Sequence, residues 1–438
     1  MKYIFYSPRP NFKNRVIKIT IPKQIRGKIQ DKFVEISINK KIKFFYKLGN
    51  DKSFVVSKKN LNKKAFTKKN RIRIRILEKV KRKNYLKIIN NKIDLMGLIP
   101  LTTKYNFEIY VIKKRSQLIC LYKSFNGRLR QIKISRFAPL NFCRFLGYYQ
   151  AEGGKRKQDV VITNTNLALI KDFLKISNKV IDPVLWKAEI KFSKSNKTKK
   201  EYITKELCAL KIPLKNIKIR KEKNLRDFSI RLSISSQILS EIIINSMDLI
   251  RKNLKNISLD LPRHMEIYIK FIQGLFAGDG NYNAYTNKQK GTHHRLCFYE
   301  GQKLYAQDYQ RLLKKIGLDS KIIESKKPNL YIVRSTLNWN SLLKIKSLEL
   351  FKFHEKHEEQ LRKSIQNHKR YNSQKYLVRL PCNFNIEKVC RVRKDEKVIC
   401  YNWINKLIKQ GIFIKNDKNN WSLTKEGEKI KNILSDLN

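Results

Sequence analysis

Acidic residues are scarce: 35 Asp and Glu stand against 98 Lys and Arg over 438 residues, a net charge of +63. A surplus of that size repels itself and calls for a polyanion, so the chain points to nucleic acid. Binding of that kind weakens steeply with salt through counterion release. An AT-rich genome would explain some of the lysines but not the shortage of acids. No apolar run approaches the ~18 residues that cross a bilayer. The opening MKYIFYSPRPNF lacks the apolar core of a secretion signal. We therefore expect no membrane partner and an intracellular location, cytoplasmic or nucleoid-associated, or organellar in a eukaryote. The seven cysteines are odd in number and form no CxxC pair, so neither disulfides nor a structural zinc is expected. No HExxH is present; His354 and His357, in FHEKHEEQ, read as part of a solvated, charged helix.

What is present is a pattern that occurs twice. Phe145 to Gly153 reads FLGYYQAEG and Ile272 to Gly280 reads IQGLFAGDG. Gly147 and Ala151, like Gly274 and Gly278, stand four residues apart, so each pair shares one helical face and admits a second backbone closely. Two such helices would pack against each other. Glu152 and Asp279 then fall at the helix C-termini, where the dipole disfavours negative charge, and Gly153 and Gly280 are placed to end each helix. Divalent cations would relieve the repulsion between the two acids, and metals held on carboxylate oxygens activate water and stabilise the leaving oxygen in phosphodiester cleavage. The sequences that follow also correspond. VVITNTNLALIKDFLKI from Val160 parallels RLCFYEGQKLYAQDYQRLLKKI from Arg295, and DFSIRLSISSQIL from Asp227 parallels LYIVRSTLNWNSLL from Leu330, aligning Arg231 with Arg334. Internal duplication is the simplest account.

With these residues the stretch from Pro139 to Leu350 resembles the double-motif, dodecapeptide-type LAGLIDADG homing endonucleases. The resemblance implies an α+β fold of two pseudo-twofold αββαββα repeats. Their motif helices meet at the interface and their antiparallel strands form a saddle over the DNA major groove. It also implies that Glu152 and Asp279 are the catalytic residues and the ligands of Mg2+ or Mn2+. Arg231 and Arg334 are the symmetric candidates for the basic residue beside each scissile phosphate, or ordinary phosphate contacts. Base and phosphate contacts are expected from Lys155, Arg156, Lys157, Lys218 and Arg220 after the first motif, and from Asn283, Asn287, Lys288, His293 and Arg295 after the second. Strands alternate faces, so about half of these would point away from DNA.

The flanks complete the expected domain order. Residues 1–57 form a β-rich module in which RVIKITIPKQIRGKI resembles an AbrB-type swapped hairpin; that resemblance would set Lys18, Lys23 and Arg26 toward phosphate and make the chain a dimer rather than a monomer. A plain β-rich extension is the other reading. Residues 58–137 are a basic linker and further strands. The first repeat spans 138–250, an inter-repeat linker 251–263, the second repeat 264–350 and a charged helical connection 351–382. Residues 383–438 resemble a winged helix. Its recognition helix, Val398 to Gln410, would offer Tyr401, Asn402, Asn405 and Lys406 to a groove and bury Trp403, Ile404 and Leu407.

Together these readings predict a site-specific, magnesium-dependent endonuclease that breaks both strands of duplex DNA. The alternatives are a transcription regulator built on a retired endonuclease core, or an RNA maturase acting on structured intron RNA. The chain begins with Met1 and ends Leu437, Asn438, without a splicing nucleophile or a terminal His-Asn pair, so an intein is not expected.

Overall fold

The computed structural model describes residues 2–8, 16–30, 32–39, 42–47, 52–57, 66, 69–77, 86–102, 108–113, 115–123, 129–154, 158–193, 197–222, 225, 227–251, 257–258, 261–287, 291–417 and 419–437. At its centre two helices, Phe142–Glu152 and Leu261–Asp279, cross in direct backbone contact. A surface helix buries one stripe. These two are buried continuously over Phe142–Gln150 and Phe271–Ala277, because each is wrapped by its own sheet on one side and faces the other helix on the other side.

Glycine makes the crossing possible. A methyl group built on Gly147 would lie 2.0 Å from the Phe271 carbonyl oxygen, and one on Gly274 would lie 2.1 Å from that of Arg144. One turn further on, a methyl on Gly278 would lie 2.4 Å from Cβ of Ala151. The four small residues singled out in the sequence thus form the seam. Arg144 is locked beside it: its guanidinium donates to both Asp172 oxygens (2.8 and 2.9 Å), Tyr148 OH donates to the same carboxylate (2.8 Å), and the Phe353 ring covers the cation at 4.0 Å.

The unit after the second motif follows the expected order of elements. Strands Asn281–Asn287, Gly291–Glu300, Tyr331–Leu337 and Lys321–Glu324 form an antiparallel sheet in that spatial order, with helices Lys303–Lys315 and Trp339–Ser347 interspersed. The first unit departs from αββαββα. Its sheet runs Val160–Asn164, Phe228–Ile234, Lys187–Phe192, Ile217–Lys221. The last of these is a parallel edge strand, reached through an additional helix, Lys197–Ala209. Among the described residues, only the bridge between Gly153 and Ile162 stands where a first strand was expected.

The flanks pack more tightly than their charge suggests. Lys69–Ile76, expected as linker, is instead an inner strand of the N-terminal sheet, ordered Lys2–Pro8, Lys69–Ile76, Phe33–Ile38, Ile42–Lys47. Its alternating isoleucines, Ile72 and Ile74, fill the core under that sheet. ITIPKQIR leads from the strand Val16–Thr20 into a helix, Lys23–Ile29, where Arg26 Nε donates to the Ile21 carbonyl (2.8 Å). Within the expected inter-repeat linker, Ile257–Ser258 pairs in parallel with Leu86–Ile89.

The connection after the second unit, helices Glu355–Gln366 and Lys369–Gln374, buries Leu361, Ile365, Leu377 and Leu380 in the main core and is not a free, charged span. His357 is buried there against Phe351, and His354 caps the helix by accepting from the His357 backbone N–H (3.3 Å). The solvated reading of that pair is corrected: its hydrophobic neighbours turn the face inward. Burial lowers the pKa values of His294, His354 and His368.

At the C-terminus, helices Ile386–Arg393 and Lys397–Lys409, strands Phe413–Lys415 and Asn420–Leu423, and helix Lys425–Ser435 follow one another, with Asn383–Asn385 completing a three-stranded sheet. Trp403, Ile404 and Leu407 are buried as expected, while Asn402, Asn405 and Lys406 are exposed. No helix among the described residues is long and apolar enough to cross a membrane.

Candidate active site

The two motif helices end side by side, and each ends on its acid. Gly153 closes the first: its N–H donates to the Tyr149 carbonyl (2.9 Å) from an extended backbone with φ −82°. Glycine is needed there because a side chain would run into Tyr149, whose carbonyl oxygen lies 2.2 Å from a built Cβ. The Glu152 carboxylate lies against the other helix: its Oε1 is 3.6 Å from where a Cβ on Gly278, the residue before Asp279, would stand. The negative ends of two helix dipoles and two carboxylates therefore converge on one spot.

The electrostatics record that convergence. Burial first, then the negative charge of Asp279, push the Glu152 carboxyl up to about 7, while a hydrogen bond from Asn164 opposes the rise. Asn164 is itself held by the Asn166 backbone N–H, which donates to its side-chain oxygen (2.6 Å). Glu152 is half-buried and Asp279 is exposed. Behind Asp279, buried Gln150 donates to Tyr309 OH (3.2 Å), and Tyr309 titrates above its usual range through burial and the nearby acids Glu300 and Asp279.

This donor set suits a hard divalent cation. Among the described residues no group of three or more His, Cys, Asp or Glu side chains assembles, so the protein supplies two carboxylates and leaves the other positions to oxygen ligands from water or substrate. Mg2+ is held in that way in phosphate chemistry, through one or two carboxylates, retained waters and substrate oxygens.

Arg231 and Arg334 both project from the sheet faces turned away from the helices, since their neighbours Leu232 and Val333 are buried on the helix side. They are not symmetric. Gly153 faces Ile162, which faces Leu232, whereas Asn281, the residue after Gly280, faces Cys297, which faces Arg334. Measured from the motif glycine, the first-unit residue level with Arg334 is Ser233, two positions beyond Arg231. The Arg334 guanidinium sits beside the Cys297 thiol, and its Nε is buried without a hydrogen-bond partner among the described residues. Arg231 is exposed.

On the same outer face of the first sheet lie Lys218 and Arg220, both exposed; Arg220 Nε pairs with Glu189 (3.0 Å). Lys187 and Lys191, not singled out in the sequence, share that face through the Glu189–Arg231 ladder. The alternation K-x-E-x-K carried the signal. On the second sheet Asn283, His293 and Arg295 share the outer face, Asn283 opposite Arg295; Asn283 is exposed and the other two are half-buried. Asn287 pairs with Gly291 in the ladder, and its side chain is outside the described residues. Lys155, Arg156, Lys157 and Lys288 also lie outside them. Asn402 and Lys406 are on the C-terminal module, well away in sequence from both motifs. The further residue missed was Asn164, one asparagine among many with nothing to mark it.

Residues 266–358 match the LAGLIDADG-like domain family. The match spans the second motif and the sheet behind it. Solved structures give fainter likenesses. A chain from "Structures and dynamics of mesophilic variants from the homing endonuclease I-DmoI" is 20% identical over 47% of this chain and 93% of its own, with a TM-score of 0.29. I-DmoI in complex with DNA and Mn is 20% identical over 45% and 89%, TM-score 0.27. Full-length DUF199/WhiA from Thermatoga maritima is 13% identical over 62% and 90%, TM-score 0.28. TM-scores this low establish neither a shared fold nor a shared activity. No curated protein matches the chain in sequence.

Proposed function

We propose that the protein is a site-specific endonuclease that makes a divalent-metal-dependent double-strand break in DNA. The observation that carries this reading is the convergence of Glu152 and Asp279 at the joined ends of two helices, with Glu152 raised to about 7 by burial and by its neighbour. A mutually repelling pair is costly to keep unless something positive sits between them. Their presence in a chain of net charge +63 fits a site that receives a cation together with a phosphodiester. The LAGLIDADG-like match over the second unit supports the same reading.

Mg2+ or Mn2+ bound there would supply Lewis-acid stabilisation of the phosphoryl oxygens and a more acidic water. The chain's own residues do the rest. Glu152 and Asp279 hold one side of the site negative and fix it at the seam, so that each scissile phosphate approaches from the open side. Asn164 orients the Glu152 carboxylate. Arg334, half-buried beside Cys297 on the outer face, would offer its guanidinium to a phosphate oxygen, and Arg231 would contact the backbone from a more exposed position two residues out of register. The outer faces of the two sheets, carrying Lys187, Lys191, Lys218, Arg220, Asn283, His293 and Arg295, form the saddle over duplex DNA, and the C-terminal module lays Asn402 and Lys406 on a flanking groove as a winged helix.

The test is incubation of the purified protein with fragmented genomic DNA, with and without Mg2+, followed by sequencing of the new ends. Discrete ends that require Mg2+ are expected. DNA bound at discrete positions but uncut would replace the endonuclease with a DNA-binding regulator, and selective binding of structured intron RNA would point to a maturase.

A further inference from the structure

The N-terminal sheet carries a second basic surface that the active site does not use. In the strand Lys69–Ile76 side chains alternate strictly: Asn70, Ile72 and Ile74 are buried, while Lys69, Arg71, Arg73 and Arg75 are exposed on the opposite face. That places a positive charge every ~6.8 Å along a rigid line. The edge strand Lys2–Pro8 pairs with it so that Lys2 faces Arg75, Ile4 faces Arg73 and Tyr6 faces Arg71. Tyr6 is 57% exposed and Ile4 47%, and Lys69 Nζ stands 5.1 Å from the centre of the Tyr6 ring. Glu35 approaches Arg75 only at 3.9 Å, and among the described residues no carboxylate pairs with Arg71 or Arg73.

The width of this surface is set by packing. On the far side of the same sheet face, Phe33 and Leu77 are covered by Tyr110, Ile112, Ile119 and Leu121 of the next sheet, and Ser37, opposite Arg73, is buried. Among the described residues only two strands remain open, a strip roughly 10 Å across. A lone two-stranded ribbon enters a major groove, but this one is backed by covered neighbours and is unable to project into it. A row of cations beside a row holding an exposed aromatic ring and an aliphatic side chain matches a chain whose bases are unstacked, with phosphates on one side and base faces on the other.

We propose that this strip binds a single-stranded polynucleotide, with Arg71, Arg73 and Arg75 on successive phosphates and Tyr6 under a base. The site is separate from the Glu152–Asp279 pair and stands whether or not that pair cleaves DNA.

The test uses the full chain, labelled oligo-dT and oligo-rU, and a mixed-sequence duplex as the control, each titrated across a range of salt. The combined variant Arg71→Ser, Arg73→Ser, Arg75→Ser is expected to flatten the salt slope for the single strands by about 2, at ~0.7 per phosphate, while duplex affinity changes less than about threefold. Tyr6→Ala is expected to cost roughly tenfold on single strands and to abolish a photo-crosslink from iodouracil oligonucleotides to Tyr6. Circular dichroism controls for folding, which these exposed positions should not disturb. The dT and rU arms separate a DNA strand from an RNA strand. An unchanged single-strand slope in the arginine variant, an equal loss on the duplex, or a crosslink that maps elsewhere would each overturn the proposal.

Discussion

Asp279→Asn is expected to reduce DNA cleavage roughly a thousandfold or more while leaving DNA binding within about threefold. The reasoning is local. The substitution keeps the size and the hydrogen-bonding capacity of the side chain and removes its charge, so the helix seam persists but the negative side of the site is halved. Glu152 then loses the second of the two causes that raise it, and its carboxyl moves down from about 7 while burial still holds it above the ordinary carboxylate range. A site left with one carboxylate would hold a divalent cation more weakly. Glu152→Gln should behave alike. Gel-based cleavage and binding measured on the same DNA give both numbers, and a variant that cuts at the wild-type rate would remove Asp279 from the reaction.

The second large effect is on the seam. In Gly274→Ala the new methyl group would meet the Arg144 carbonyl oxygen at 2.1 Å, a backbone atom unable to swing aside, so the helices must part along the whole crossing. The expected cost is about 3 kcal/mol or more, at or above the upper end for overpacked cores. Gly147→Ala, 2.0 Å from the Phe271 carbonyl oxygen, should match it. Gly27 is the internal control: it lies inside the helix Lys23–Ile29 with nothing within 4 Å of its built Cβ. Gly27→Ala should therefore be neutral or stabilise by up to ~1 kcal/mol. Thermal melts of the three variants decide the matter, and equal melting temperatures would show that the crossing is looser than described.

Much of this centre was legible in the sequence because it depends on local rules. Small residues four apart mark a helical face, and an acid followed by glycine marks the helix end, so Gly147, Ala151, Gly274, Gly278, Glu152 and Asp279 are identifiable without tertiary information. The buried side of the helix Lys397–Lys409 was legible for the same reason, from the spacing of Trp403, Ile404 and Leu407. What was not legible depends on pairing between distant segments. The offset between Arg231 and Arg334 arises from strand register, which aligned sequences do not carry. The parallel edge strand in the first unit arises from an inserted helix that has no counterpart in the second. KNRIRIRI has a period of two that marks a half-buried strand, but within a segment crowded with lysine it reads as a solvated charge run. Its place between Lys2–Pro8 and Phe33–Ile38 depends on partners more than thirty residues away in sequence.

Glu152 and Asp279 are proposed to share a divalent cation at the joined helix ends. Affinity cleavage tests it most directly: Fe2+ is substituted for Mg2+, hydroxyl radicals are generated with ascorbate and peroxide, and the sites of backbone scission are mapped. The account predicts two clusters of cuts, one around Ala151 to Gly153 and one around Gly278 to Gly280, both lost in the Glu152→Gln, Asp279→Asn double variant. Cuts confined to other parts of the chain, or cuts at these positions that persist in the double variant, would contradict it.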